Sequence, residues 1–355
     1  MSTDGTSRAA PAVGPVLLLS VEPPVFLTGI PYDDYLGVAR TFAEKFGNVD
    51  AGFIVFPTWS LEQRGLARAV KERHADHTAR FPRHVFRFIC NTVREAELLQ
   101  EQELPAEFLN KNFMVSDSIF RPLPEVQVEF DAIYNARFVP DKRHELATLI
   151  PRVGYVAYVE PEAHRVAEFS TIYGATLARS PRHVLLNEMH DGRPVPMTHD
   201  RVNAAQARGA VGLVLSAVEG SSYCSMEYLL AGLPVVSTPS LGGRDVYFDP
   251  EFCIVCPPDR AAVRDAVLEL KARKIPREVV RLRTLDKIAP KRARFLELID
   301  EVLHELDAPR RFAGRPWRHA GSGVRWGYYT SHLEVFVQAK RSELARKVGL
   351  ASVKP

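Results

Sequence analysis

Charge of one sign is what this chain lacks most plainly. Its 355 residues carry 46 Lys and Arg against 43 Asp and Glu, a net charge of +3. So even a balance gives little ground for expecting nucleic acid or an anionic membrane as partner. Long apolar runs are also missing. None approaches the roughly 20 residues of a membrane helix. The stretch from Met1 to Pro15 has no basic start followed by an apolar core, so it does not read as a secretory signal. Its polar, small, proline-containing composition predicts a disordered leader over 1–14. Cysteines are few: Cys90, Cys224, Cys253 and Cys256. Nothing in that number asks for disulfides, and the cytoplasm is the default expectation. Cys253 and Cys256 do form a CxxC. They lie in the apolar run FCIVC without a second Cys or His pair, so a buried strand outweighs a zinc or redox site. No G-x-G-x-x-G follows the first strand candidate, which disfavours a dinucleotide oxidoreductase. There is no Asp-x-Asp signature for a metal, and no paired carboxylates of the hydrolase type stand in both halves.

What remains is an ordinary globular composition, 46% hydrophobic and 25% charged, with arginine prominent among the cations. Arginine's planar fork suits phosphate, a weak pointer. The length suggests two domains. In the first ~120 residues strand and helix patterns alternate. Pro15–Val21 is a short apolar run that reads as a buried first strand, Tyr35–Phe46 has helical spacing, and Ala51–Phe56 is a strand candidate. Leu61–His77 reads as a basic amphipathic helix and His84–Cys90 as a strand. Asn91-Thr92 can cap a helix over Thr92–Gln102. After the proline-rich Phe120–Pro124 a second series begins. Strands are expected at Phe130–Asn135, Val153–Val159, Val184–Asn187, Val211–Ser216, Leu233–Ser237 and Phe252–Cys256. Helices are expected at Lys142–Leu149, Val166–Ala178, Thr198–Arg208, Met226–Ala231 and Ala261–Ala272. Two such series predict an α/β protein of two Rossmann-like, doubly wound domains facing a cleft, with ligands at the carboxyl ends of the strands. The expected divisions are 15–128, 129–322 and a helix over 323–355 that packs back on the first domain.

One segment carries chemistry by residue type alone. After the strand VGLVLS come Glu219, Gly220, Ser221 and Ser222, then a helix bearing Glu227. Gly220 permits a tight turn. Ser221 or Ser222 can cap the helix. Amides at a helix start, with the positive end of its dipole, favour a phosphate. Glu219 and Glu227 beside such a site would repel phosphate, but they suit the hydroxyls of a ribose and a hexose. Gly242-Gly243 supplies a second permissive turn on the same edge. Taken singly, Glu219 is an ordinary loop carboxylate and Glu227 a solvated helix position; their joint setting favours function.

The run Glu219-Gly220-Ser221-Ser222-Tyr223-Cys224-Ser225-Met226-Glu227, continuing through Ala231-Gly232-Leu233-Pro234-Val235-Val236 to Gly242-Gly243, resembles the donor-site signature of retaining GT-B glycosyltransferases of the GT4 type. A second stretch, Asn135-Ala136-Arg137 through Lys142, is similar to that family's Gly-Arg-x-x-x-x-Lys element. The resemblance implies a nucleotide diphosphate sugar of UDP or GDP type as donor, a hydroxyl as acceptor, and no metal or other cofactor. It implies that Arg137 and Lys142 hold the diphosphate, Glu219 the transferred sugar and Glu227 the ribose. Gly220, Ser221, Ser222, Tyr223, Gly242 and Gly243 complete the donor side. Two fixed cations would also offset the charge developing on the leaving group.

The chain departs from the family pattern in three places. Gly220-Ser221-Ser222 stands where Gly-Phe-Gly is usual, Ala136 replaces a glycine, and Glu22-Pro23-Pro24-Val25-Phe26 takes the place of a glycine-rich loop. On the acceptor side Thr58 and Trp59 follow a strand and could contact a substrate. His74, His77 and His84 could supply acceptor contacts or proton transfer, but the first two lie on a basic helix, where exposed histidines are common. Arg143 and His144 could line the cleft or lie on a helix surface. Arg244 and Asp245 could touch a ligand or pair, and Asn187–His190 could offer backbone contacts to a base. The competing readings are a sugar-nucleotide epimerase or hydrolase and a nucleotide-binding module without catalysis. A nucleic-acid acceptor would be sought along Arg64–Arg87.

Overall fold

The structure is a computed structural model, and it describes residues 16–30, 35–62, 65–160 and 162–317. The leader expected over 1–14 and the helix expected over 323–355 lie outside the described residues. The chain divides into two compact units. One holds residues up to Lys111 and those from Ala293 onward; the other is Asn112–Arg292.

The first unit is built on a five-stranded sheet, ordered as in the sequence. β1 (Val16–Val21) pairs antiparallel with β2 (Pro24–Ile30). Then β3 (Ala51–Pro57), β4 (His84–Cys90) and β5 (Ala106–Phe108) follow in parallel. β2 was hidden from the sequence reading behind its prolines. Pro24 opens the strand, where a missing N–H is tolerated. The connecting helices are α1 (Val38–Phe46), α2 (Leu66–Arg80) and α3 (Val93–Gln100). Right-handed crossovers that always step the same way along a sheet put their helices on one face. Accordingly Phe26, Phe53, Phe86 and Phe88 share a core with Val38, Phe42, Val70, Ala96 and Leu99. The opposite face is covered by a distant part of the chain: a Cβ on Gly52 would lie 2.2 Å from the side chain of Val302.

Two polar groups are buried in this unit with evident cause. Thr92 caps α3, accepting from the Glu95 N–H at 3.1 Å. Glu95 in turn accepts from the N–H groups of Asn91 at 2.7 Å and Leu61 at 2.9 Å, a relative of the capping box. Burial pushes its carboxyl up to about 7. The second group is a histidine pair. The His84 Nε2–H donates to the Val49 carbonyl at 3.1 Å, so its bare Nδ1 accepts the Nε2–H of His77 at 2.9 Å. Both rings are buried among Phe42, Phe53, Phe81 and Phe86, and His74 meets Phe86 edge-on. His77 and His84 are therefore core residues and His74 is half-buried, not exposed as the basic helix suggested.

The second unit has a six-stranded, all-parallel sheet. Its strands are β6 (Phe130–Asn135), β7 (Val153–Val156) and β8 (Val184–Leu185), then β11 (Gly209–Val214), β12 (Val235–Ser237) and β13 (Cys253–Val255). A small hairpin, β9 (Met189–His190) with β10 (Arg193–Pro194), stands apart. Helices α4 (Ala163–Arg179), α5 (His199–Ala207), α6 (Tyr223–Leu230) and α7 (Arg260–Arg273) connect the series, and α8 (Arg277–Glu305) follows. The order β13-β12-β11-β6-β7-β8 reverses direction between β6 and β11. In open parallel sheets that reversal leaves a crevice at the carboxyl ends of the two strands.

Several expectations shift here. Lys142–Leu149 is not one helix but two short 3-10 turns, Pro140–Lys142 and His144–Ala147, separated by Arg143 at φ 51°. The expected strand at 184–187 stops at Leu185. Asn187 turns its side chain inward, pairing with both main-chain groups of Ala157 at 2.8 and 2.9 Å and with the Val195 carbonyl. Residues 112–128, read as part of the first domain, belong to the second unit. Arg292 donates to the Phe113 and Val115 carbonyls, Arg281 to those of Asp117 and Phe120, and Asn203 to that of Arg121. In α8, Pro290 removes one helical hydrogen bond just before the units divide at Arg292 and Ala293. Cys253 and Cys256 are buried and unbridged. Among the described residues no helix is long and apolar enough to cross a membrane.

The histidine pair sets an acid response. Burial lowers His77 from 6.5 to about 4, with His84 adding to the effect. Between those values the unfolded chain binds more protons than the native one. The stability present above pH 6.5 is thus lost as pH falls toward 4. In urea unfolding, the wild-type midpoint is expected to drop more steeply between pH 7 and 4.5 than that of His77→Phe. Parallel pH dependences would contradict a buried neutral pair.

Candidate functional site

The reversal point of the second unit's sheet gathers most of the residues singled out by sequence. The Lys142 ammonium donates to Glu219 Oε1 and, at 3.4 Å, to Ser216 Oγ. Ser216 Oγ itself donates to the same Glu219 oxygen at 2.5 Å. The Lys142 and Glu219 side chains are only 14% and 11% exposed, so neither charge is left to bulk water. The Tyr134 hydroxyl, rooted in β6, holds the Lys142 carbonyl. Arg137 lies on the same side of the fold, pairing with Glu160 at 2.5 Å with its guanidinium 5.9 Å from the Tyr158 ring centroid. Burial opposes its charge, but Tyr158, Glu160 and Glu219 outweigh that and hold it protonated.

Glu219 is positioned by main chain meeting main chain. Its N–H donates to the Leu241 carbonyl at 2.9 Å, the Leu241 N–H to Ala217 at 3.1 Å, and the Gly243 N–H to Gly220 at 2.6 Å. The loops after β11 and β12 are thus zipped together beyond their strands. Gly242 makes this possible. Its φ is +102°, and a Cβ there would stand 1.6 Å from the Glu219 carbonyl oxygen. The permissive turn read from sequence serves this backbone approach. The helix start is also built differently from expectation. Ser222 occupies the N-cap position of α6 at φ 54° without a side-chain cap, and the Ser221 hydroxyl is buried without a partner. The loop is held from outside by Asn112, whose Nδ2 donates to the Ser221 carbonyl at 2.6 Å. Tyr223 opens the helix, 37% exposed.

Glu227, one turn into α6, receives two amides on a single oxygen. Asn135 Nδ2 donates to Oε2 at 3.2 Å and Gln206 Nε2 at 3.1 Å. Burial pushes this carboxyl up to about 7, while the two amides oppose the rise. Tyr228 fixes the arrangement from below. Its hydroxyl donates to the Ile133 carbonyl at 3.2 Å and accepts the Asn135 N–H at 2.6 Å.

Other candidates have structural work. Arg143 donates to the Leu215 carbonyl and to Thr238 Oγ1, each at 2.6 Å. Arg244, 1% exposed, donates to the carbonyls of Ser216 and Thr238. Asp245 is exposed and forms no ion pair with it. His144 is a core residue, stacked on Phe138 at 4.0 Å and donating to the Arg137 carbonyl; burial lowers it to about 4. Thr58 and Trp59 belong to the first unit. Thr58 donates to the Ile30 carbonyl at 2.7 Å, and Trp59 borders a small recess with Ile30, Tyr35, Pro57, Leu61 and Leu66. Asn112, Ser216 and Gln206 were not flagged by the sequence reading. An amide or hydroxyl in a helix or loop carries no signal until its acceptor is placed. Among the described residues no three His, Cys, Asp or Glu side chains gather as a metal cluster.

The arrangement therefore offers cations, a helix N-terminus and two carboxylates on one sheet edge. That set suits a ligand with both phosphate and hydroxyl groups. Gly242→Ala tests the geometry. It is expected to destabilise the protein by roughly 3 kcal/mol or more, because strain and a backbone clash coincide. Gly174→Ala in α4, with open space around its Cβ, is expected to stabilise by about 0.5–1 kcal/mol. Thermal unfolding of the two variants checks both signs.

Neither a protein-family model nor a curated protein sequence matches the chain. Solved structures do. Sucrose-phosphate synthase from Thermosynechococcus elongatus aligns at a TM-score of 0.55 and 15% identity, over 78% of this chain and 73% of that one. Anabaena HepE in complex with UDP gives 0.53 and 11%, over 77% and 84%. The N-terminal domain of Candida albicans trehalose-6-phosphate phosphatase gives 0.51 and 10%, over 79% and 71%. Likeness at such identities speaks to architecture, and names as different as a synthase and a phosphatase share it. The chain has a mixed α/β fold with parallel sheets, matching these Rossmann-like, GT-B structures.

Proposed function

We propose that this chain is a cytoplasmic, retaining glycosyltransferase of the GT4 type. It moves a sugar from a UDP- or GDP-type nucleotide sugar to a hydroxyl acceptor without a metal ion. The observation that carries the reading is the meeting of Lys142, Glu219, Glu227 and the α6 start at the reversal point of one parallel sheet. The HepE structure, in complex with UDP, supports a nucleotide ligand for this fold.

In this reading the α6 amides and the Lys142 and Arg137 cations take the diphosphate. As the bond between the anomeric carbon and the phosphate oxygen breaks, negative charge grows on the departing nucleotide, and the two cations offset it. Lys142 then has to exchange part of its contact with Glu219 for phosphate. That exchange frees Glu219 Oε1 for hydroxyls of the transferred sugar. Glu227 takes the ribose. Gly220, Ser221, Ser222 and Tyr223 shape the donor side, with Gly242 and Gly243 holding Glu219 in place. The acceptor loses its hydroxyl proton to the leaving phosphate on the face of departure. Thr58 and Trp59 are the acceptor-side candidates of the first unit.

Thermal unfolding with UDP, GDP and dTDP tests the donor half. At a hundredfold excess over Kd, a true ligand stabilises by about 2.7 kcal/mol. One nucleotide class is expected to do so, with the effect lost in Glu227→Ala. Lys142→Ala is expected to lower kcat for donor turnover by about a hundredfold or more. The released sugar should be α-configured. Absence of stabilisation by every nucleotide would sink the proposal.

A further inference from the structure

Glu227, like Glu219, is held by one oxygen, but its donors are two neutral amides where Glu219 has a cation and a hydroxyl. Oε2 accepts both Gln206 Nε2 and Asn135 Nδ2, while Oε1 takes no partner among the described residues. The two donors come from different elements, the end of α5 and the carboxyl end of β6. Gln206 is fully buried, and the Asn135 main chain is tied to the Tyr228 hydroxyl. Gln206 also leaves its own carbonyl oxygen buried and unpartnered. Such an oxygen has lost its water without gaining a donor, which costs stability. A side chain that bears this cost to place its N–H₂ on one carboxylate oxygen has its position set by that contact.

We infer that Gln206 and Asn135 are positioning residues that clamp Glu227 by Oε2 so that Oε1 is presented to the vicinal diol of a ribonucleotide. This rests on the ribose role given to Glu227 above. The clamp has two consequences. A carboxylate that cannot swing cannot follow a ligand that lacks one hydroxyl, so 2′-deoxyribonucleotides are disfavoured. The two amides also stabilise the charged form, which burial alone would disfavour. Among the described residues, Cys224 and Tyr228, both on α6, interact with Glu227, and burial keeps both neutral. Nucleotide affinity should therefore rise with pH through about 7, as the carboxyl at about 7 deprotonates.

The test is the pH dependence of nucleoside diphosphate binding to the full chain, by calorimetry, using UDP, GDP and ADP and the 2′-deoxy form of whichever binds. Gln206→Met keeps the volume and loses the amide. Asn135→Ala keeps the main-chain N–H and loses the other donor. In each folded variant the pH midpoint is expected to move up by about one unit, since one hydrogen bond to a charge is lost. The preference for ribose over deoxyribose is expected to fall about tenfold. Unchanged midpoint and preference in both variants overturns the clamp and leaves the glycosyltransferase reading standing. Uniform weakening at every pH, with the ribose preference intact, also overturns it, because that is what a merely structural role would give. If the wild type binds none of the three nucleotides, the clamp and the reading beneath it both fail.

Discussion

At the carboxyl edge of a parallel sheet the ladder stops, and the last main-chain carbonyls must find donors. The second unit answers this with two arginines, one half-buried and one fully buried. Arg143 and Arg244 serve the carbonyls of Leu215, Ser216 and Thr238, at the ends of β11 and β12. Desolvation lowers Arg244 to about 10, partly offset by Glu219, so a positive charge is retained beneath the site. The edge that needs these donors is also where the sheet order reverses. The group that satisfies the backbone and the group that gathers anions are thus neighbours for one reason. Some of the arginines, read from the sequence as a pointer to phosphate, are committed to such carbonyls. Arg277, Arg281 and Arg292 act in the same way.

Around that edge the charges are paired rather than loose. Lys142 and Glu219 neutralise each other with Ser216 between them, and Arg137 is shared with Glu160. Each pair is partly withdrawn from water, where an unpaired charge would cost several kcal/mol. A ligand bearing its own negative charge can replace one member of a pair without leaving the other bare. Glu227 differs. It has no cation, only two amides, and its carboxyl sits near neutrality. A carboxylate with hydrogen bonds but no counter-charge suits hydroxyl recognition better than charge balance.

Much of this was legible beforehand, and what was missed follows a pattern. Apolar runs of strand length gave β3, β6 and β11 because burial on both faces of a parallel sheet demands them, and alternation gave β4. β2 was obscured by its prolines, and the 3-10 turns at 140–147 by helix-forming residues whose continuation Arg143 breaks at φ 51°. His77 read as an exposed helix residue from its neighbours in the chain, His84 as the start of a strand, and His144 as either a cleft or a helix-surface residue. Their partners in space are Phe42, Phe53, Phe86 and Phe138, of which the first two lie on other elements far back in the chain.

By itself the sequence determined the alternation of elements, the identity of the two glutamates and their spacing, and the cations that precede them. Local periodicity and a run of residue types suffice for that. Only the tertiary structure decided which oxygen of Glu227 is held and by what, that Gly242 is required by the Glu219 backbone, and that residues 112–128 pack with the second unit. Those facts depend on atoms far apart in sequence arriving within a hydrogen bond of one another, and no local pattern encodes that distance.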